Sequence, residues 1–201
     1  VTARVTRRRA ETRRRLLDAA LDAFAEQGFG HCSVEGVCER AGFTRGAFYS
    51  NFVSLDELFL AMWEERSAAL RADVEATLQV LPEVSTVRDV VEHVALAVPV
   101  DDTWYRVSAE FSAHALRQPD LRHVVAARED AIVATLIEPM VTLLARAGRV
   151  TPDPRKLCQA LVAVHDGTAM QCLLDPDNPQ VWERRLELFE HVVTAYTTEG
   201  S

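Results

Sequence analysis

The 201 residues, 48% hydrophobic and 26% charged, suit one globular domain or a small module joined to a larger one, with chain enough to bury a core without disulfides or a metal. No apolar run reaches the roughly 18 residues of a membrane span, and the Arg-rich start does not read as a secretory signal peptide. Cys32, Cys38, Cys158 and Cys172 lack CxxC spacing, so neither a zinc site nor a disulfide framework is expected, and a cytoplasmic setting is.

The net charge of −8 argues against a nucleic-acid partner until its distribution is read. Residues 1–50 carry nine Arg against six acids, whereas residues 51–201 carry 13 basic and 24 acidic groups. A basic head on an acidic body suggests that only the head meets a polyanion; a solvated basic tail is the alternative.

Helical periodicity runs nearly throughout. A first helix is predicted over about residues 11–27, with Leu17, Ala20, Leu21, Phe24 and Ala25 on one face and Gly28 as its stop. Ser33 caps a short second helix that Gly42 ends, and Thr44 caps a third through Phe52. Ser54 and Glu57 have capping-box spacing and open a long fourth helix, which stops before Pro82. Further helices are expected over about 87–98, 102–117 and 120–147, the last kinked at Pro139. Asp153-Pro154 and Asn178-Pro179 start an eighth and a ninth. The fold class is all-α.

Two short helices joined by Ala41-Gly42-Phe43 form a helix-turn-helix pattern. Ala47, Phe48 and Phe52 would pack inward, leaving Thr44, Arg45, Gly46, Tyr49 and Asn51 toward the other side. That small, cationic, hydroxylic and aromatic set suits phosphates and base edges in a major groove. A helical adaptor that binds protein rather than DNA is the competing reading, and it has no use for this set or for the Arg cluster.

The stretches LLDAALDAFAEQGFG and SVEGVCERAGFTRGAFYSNFVSLDELFLAM, within residues 14–62, resemble the DNA-binding domain of the TetR family of bacterial transcriptional regulators. The resemblance implies a helix-turn-helix head over 1–54 and a helical ligand-binding and dimerisation body over 55–201. It implies a repressor released from a pseudo-palindromic double-stranded operator by a small-molecule effector. By position, Ser33 would meet a phosphate, Thr44, Arg45 and Gly46 base edges and backbone, and Tyr49 a phosphate or thymine methyl. Asn51 stands where the family often has His. Leu55 stands where it usually has Lys, a phosphate contact that the Arg arm (Arg4, Arg7, Arg8, Arg9, Arg13, Arg14) would replace.

In the ninth helix, Trp182, Leu186, Phe189, Val193 and Tyr196 follow heptad-like spacing, and Leu161, Val164 and Thr168 form a similar stripe in the eighth. Either stripe can face a partner or the protomer's own core. The resemblance implies a homodimer through these two helices. An effector pocket would draw on Trp63, Trp104, Tyr105, Phe111, His114, Met140, His165 and Met170, with Glu110, Glu138 and Asp166 as polar anchors for a cationic compound. No catalytic constellation, phosphate loop, metal set or cofactor motif is legible, so no enzyme is expected.

Overall fold

The computed structural model describes residues 2–80 and 84–200, and the side chains of residues 7–74, 76 and 84–200. In chain order the described residues form α1 (Thr2–Gln27), a 3₁₀ turn (Phe29–His31), α2 (Val34–Ala41), α3 (Arg45–Tyr49), α4 (Leu55–Val80), α5 (Val87–Ala97), α6 (Asp102–Ala115), α7 (Pro119–Arg146), β1 (Arg149–Val150), α8 (Pro154–Leu174), α9 (Pro179–Tyr196) and β2 (Thr198–Glu199). The expected stop at Pro82 lies outside the described residues. No helix among them is long and apolar enough to cross a membrane.

The caps explain most boundaries. Ser33 Oγ accepts from Gly36 N–H at 3.1 Å and starts α2. Gly42, at φ 71°, ends it: Gly42 N–H donates to Glu39 O and Phe43 N–H to Cys38 O, a pairing that satisfies two orphan carbonyls. Thr44 Oγ1 accepts from Ala47 N–H, Thr86 and Asp89 form a capping box on α5, and Asp153 caps α8. Two boundaries differ from expectation. α1 begins at Thr2, so the Arg cluster continues the helix instead of preceding it. α3 ends at Tyr49, not Phe52, where Ser50 Oγ and Asn51 Nδ2 both donate to Ala47 O; short polar side chains here compete with a further helical turn.

The chain divides into two compact units. One holds residues 1–67 and 106–121, the other 68–105 and 122–201. The first unit thus reaches past residue 54, and aromatic packing is the reason. Phe59 of α4 stacks on Phe111 of α6 at 3.8 Å between centroids, and Phe29 meets both rings edge-on. Phe24, Phe48, Phe52, Leu16 and Leu58 complete this fully buried core. Such rings bury 150–250 Å² each, at ~25 cal/mol per Å² of apolar surface, so the start of α4 and much of α6 belong with the head.

The second unit packs α5, α7, α8 and α9 around Val90, Val91, Val133, Met140, Leu144, Leu157, Leu161, Phe189 and Val193. Arg88 of α5 bridges Glu92, Glu183 and Glu190, fastening α5 to α9. The two strands pair antiparallel, Arg149 with Glu199 and Val150 with Thr198, too short to leave a periodic pattern in the sequence.

Candidate DNA-reading surface

Among the side chains expected to read DNA, Ser33, Thr44, Arg45, Tyr49 and, on the arm, Arg7 are exposed on the head. Arg8, Arg9 and Gly46 are exposed as well. Ser33 and Thr44 spend their hydroxyl acceptors on helix caps, which leaves each hydroxyl hydrogen to donate outward. Tyr49 is 49% exposed and stands edge-on to buried Phe48, which fixes its ring plane. Arg45 Nη1 lies 2.9 Å from Glu35 Oε1 of α2, and its guanidinium stands over the Tyr49 ring at 5.9 Å.

Gly46 has no internal reason to be glycine. Its φ is not positive, and a Cβ built there would meet as its nearest neighbour Thr44 Oγ1 at 3.7 Å, an ordinary contact. The vacant volume faces out of the head. Asn51 is placed differently from expectation: it is half-buried, and its amide donates to Ala47 O and Ser50 Oγ. It acts as a cap at the end of α3.

The Arg cluster splits by partner. Arg9 donates to Ser50 O at 3.0 Å, Arg13 stands 4.5 Å over the Phe52 ring, and Arg15 donates to Ala41 O and covers Phe43. Arg9 and Arg15 fasten α1 to the carbonyl ends of α3 and α2, where the helix dipole favours a cation. Arg14 pairs with Glu11 and Asp18. Arg9 is thus a fastener first, while Arg7 and Arg8 remain on the exposed face. The steps from Arg9 to Arg13, Leu16 and Ala20 are 4, 3 and 4, so the helical period puts Arg9 and Arg13 in line with the buried Leu16 and Ala20 of α1.

Sequence reasoning missed the hold of α6 on this head. Phe29 N–H donates to Glu110 Oε2 at 2.6 Å, Arg106 Nη1 to Ala25 O at 3.1 Å, and His114 Nε2 lies 3.1 Å from Asp56 Oδ1. Gly28, at φ 83°, lets the carboxylate in; a Cβ there would stand 2.9 Å from Glu110 Oε2. These pairs span 58–81 residues of sequence, and Gly28 is the one local trace they leave. Glu110 is thus an acceptor that fastens α6 to the head.

The residues expected to line a pocket fall in different surroundings. Phe111 is fully buried against Phe59, and Trp63 packs edge-on to Phe59, so both are core rings of the head unit. Met140 is buried in the core of the second unit, and Met170 is half-exposed on α8. Trp104 is partly buried, its backbone N–H donating to Asp101 Oδ1. His165 Nδ1 accepts from Arg185 at 2.7 Å; burial, then the Arg185 charge, push this imidazole down to about 4, so it is neutral. Burial also raises the carboxyl groups of Glu129 and Asp166, Glu129 further through the charge of Asp166. An open cleft of about 450 Å³ lies inside the head unit beside Phe29, Val34, Tyr49, Leu55 and the Asp56–His114 pair. Of the residues expected to line a pocket, His114 alone borders that cleft. Among the described residues no three His, Cys, Asp or Glu side chains gather as metal ligands.

Most of the expected dimer stripe is buried within its own unit. Leu161, Thr168, Phe189 and Val193 are 0–6% exposed within their own unit, with Val164 and Leu186 packed beside them. Trp182 is partly exposed, its Nε1–H donating to Pro176 O. The outward faces are instead Ala163, Gly167, Met170 and Leu174 on α8, and Arg184, Leu188, His191 and Ala195 on α9. Each set follows helical spacing, one face away from the buried stripe.

The family model for bacterial regulatory proteins of the tetR family matches residues 16–62, and that for the C-terminal part of BetI-type transcriptional repressors matches residues 83–197. The HTH-type transcriptional regulator AcrR of Shigella flexneri is 43% identical over 63 residues, 31% of this chain and 29% of that protein. The match thus spans less than a third of that relative and is confined to one part of it. The HTH-type transcriptional repressor Rv1474c of Mycobacterium tuberculosis is 28% identical over 92% of this chain and 94% of that protein. Among solved structures, the multidrug binding protein EbrR complexed with imidazole is 27% identical, with a TM-score of 0.61 over 90% of this chain and 89% of that one.

Proposed function

Because the chain belongs to the tetR family of bacterial regulatory proteins, a family of non-enzymatic helix-turn-helix regulators, we propose that it is a cytoplasmic repressor that leaves its operator when a small-molecule effector binds. The observation that carries this reading is the α3 face: Thr44, Arg45, Gly46 and Tyr49 lie exposed on a helix whose other side is locked into an aromatic core. Polar caps, a cation, a bare backbone and an aromatic ring together match the donors and surfaces that a major groove accepts. A protein-binding adaptor would give this face no task.

The working unit is a homodimer joined by the outward faces of α8 and α9. Ala163 and Gly167 permit close helix approach, and Met170, Leu174 and Leu188 supply apolar area left uncovered in one chain. Two α3 helices would then reach half-sites about 34–36 Å apart on one DNA face, which makes the operator pseudo-palindromic. The effector reading draws on EbrR, which its structure describes as a multidrug binding protein with imidazole bound. An effector acts here only through different affinities for the DNA-competent and DNA-incompetent arrangements.

Selection from a random duplex library tests the reading. The expected product is a two-fold repeated sequence, bound with an affinity that falls steeply with salt, by a species of twice 22.4 kDa in sedimentation. No enrichment would refute DNA reading, and a monomer at micromolar concentration would refute the dimer.

A further inference from the structure

Arg45 is held from two sides. Glu35, in the first turn of α2, places Oε1 at 2.9 Å from Nη1, and Tyr49, one turn along α3, lies beneath the guanidinium. All three side chains are exposed: 57% for Glu35, 62% for Arg45 and 49% for Tyr49. The pair joins the two helices of the helix-turn-helix at the point where α3 opens. Nothing in the core requires it, since both ends stand in solvent, where ion pairs contribute ~0–1 kcal/mol to stability.

We propose that Glu35 is a specificity-determining residue, a carboxylate that orients the Arg45 guanidinium for a base edge and keeps it off the phosphates. An unrestrained Arg on a basic head is drawn to whichever phosphate is nearest, a contact that carries no sequence information. Glu35 alters that balance in two ways. It occupies one of the five N–H donors and limits the rotamers of a long side chain, leaving other donors for the paired acceptors of guanine O6 and N7. Its negative charge also offsets that of Arg45, so the tip of α3 gains little from phosphates at large and gains most from a donor-acceptor match. The same carboxylate can accept from a cytosine amino group beside that guanine. Ser33, Thr44 and Gly46 around the pair carry no charge, so the Glu35–Arg45 balance sets the local field at this tip.

This inference rests on the DNA-reading role of α3, and the experiment separates the two. The variants are Glu35→Gln, which keeps size and hydrogen-bonding capacity but loses the charge, and Arg45→Ala. Each full-length protein is titrated against the duplex recovered by selection and against a shuffled duplex of equal length, across a salt series. For Glu35→Gln the expected results are an affinity for the shuffled duplex about threefold to tenfold higher, a specificity ratio about tenfold lower, and a log–log salt slope steeper by about one phosphate contact. A repeat selection with this variant should return the same half-site with one position relaxed. Thermal unfolding should stay within about 1 °C of the parent, as for other exposed substitutions. A merely structural Glu35 would move the unfolding curve and leave ratio and slope in place. If Arg45→Ala weakens the selected duplex while Glu35→Gln leaves ratio, slope and selected sequence unchanged, this inference is overturned and the reading of α3 stands. If Arg45→Ala changes nothing either, the reading of α3 falls with it.

Discussion

Replacing Gly46 by Ala should raise stability and lower DNA affinity at once. Glycine inside a helix is less favourable than alanine by up to ~1 kcal/mol, and removing it where the native backbone suits alanine stabilises by ~0.4–1 kcal/mol through the unfolded chain. Gly46 meets that condition, because its φ is not positive and the new methyl would have only Thr44 Oγ1, at 3.7 Å, as a close neighbour. It sits at the second position of a five-residue helix, so the lower part of the range applies. For a chain of this size that is a rise of about 1–4 °C in Tm, read at one fixed protein concentration so that dimerisation does not intervene. On DNA the same methyl occupies volume that the free protein leaves open on the reading face. A tenfold loss of affinity, about 1.4 kcal/mol, is the least that displacement of a close backbone contact should produce. The assays are thermal unfolding by circular dichroism and fluorescence anisotropy on the selected duplex. A destabilised variant would show that Gly46 serves the fold. A stabilised variant with unchanged affinity would show that DNA does not approach this backbone, and the reading of α3 would need another face.

Glu110→Ala should destabilise the protein by about 1–3 kcal/mol in denaturant titration, because Phe29 N–H loses its carboxylate acceptor in a partly buried setting. Glu110→Gln should lose less, since the amide oxygen still accepts, and an alanine variant within about 0.5 kcal/mol of the parent would reject the latch. The Asp89 carboxylate accepts from the backbone N–H groups of Ser85 and Thr86 and from Ser85 Oγ, and hydrogen bonding to Ser85 and Thr86 holds its carboxyl down at about 2, against an ordinary 3.8. A depressed folded value means that its stabilisation is present above the unfolded value and is lost as pH falls from about 4 through 2. Asp89→Asn should remove that part of the acid dependence, visible as a flatter stability curve over that interval; an unchanged curve would show that the cap does not contribute there.

What was legible in the chain follows interaction range. Ser33, Gly42, Thr44, Asp153-Pro154 and Asn178-Pro179 act on backbone groups within five residues, so each boundary they set could be read directly and stands where the periodicity put it. The end of α3 was misread for an equally local reason: Ser50 and Asn51 both compete for one carbonyl, and an apolar count ignores them. The Asn51 amide donates to Ala47 O for the same local reason.

The sequence by itself determined a helical chain, a basic head, and an α3 whose Thr44, Arg45, Gly46 and Tyr49 lie off its apolar side. These follow from period, caps and charge, all functions of near neighbours. Tertiary structure decided which face of an ambiguous helix looks outward. α8 and α9 carry apolar residues on two faces, and only the packing of α5 and α7 assigns Leu161, Phe189 and Val193 to the core and Met170, Leu174 and Leu188 to the surface. It likewise decided that residues 106–121 belong with the head, through ring contacts and the Glu110–Phe29 bond. Burial is a property of all the elements that meet at a point, and one segment's periodicity shows that a face is apolar without showing what covers it.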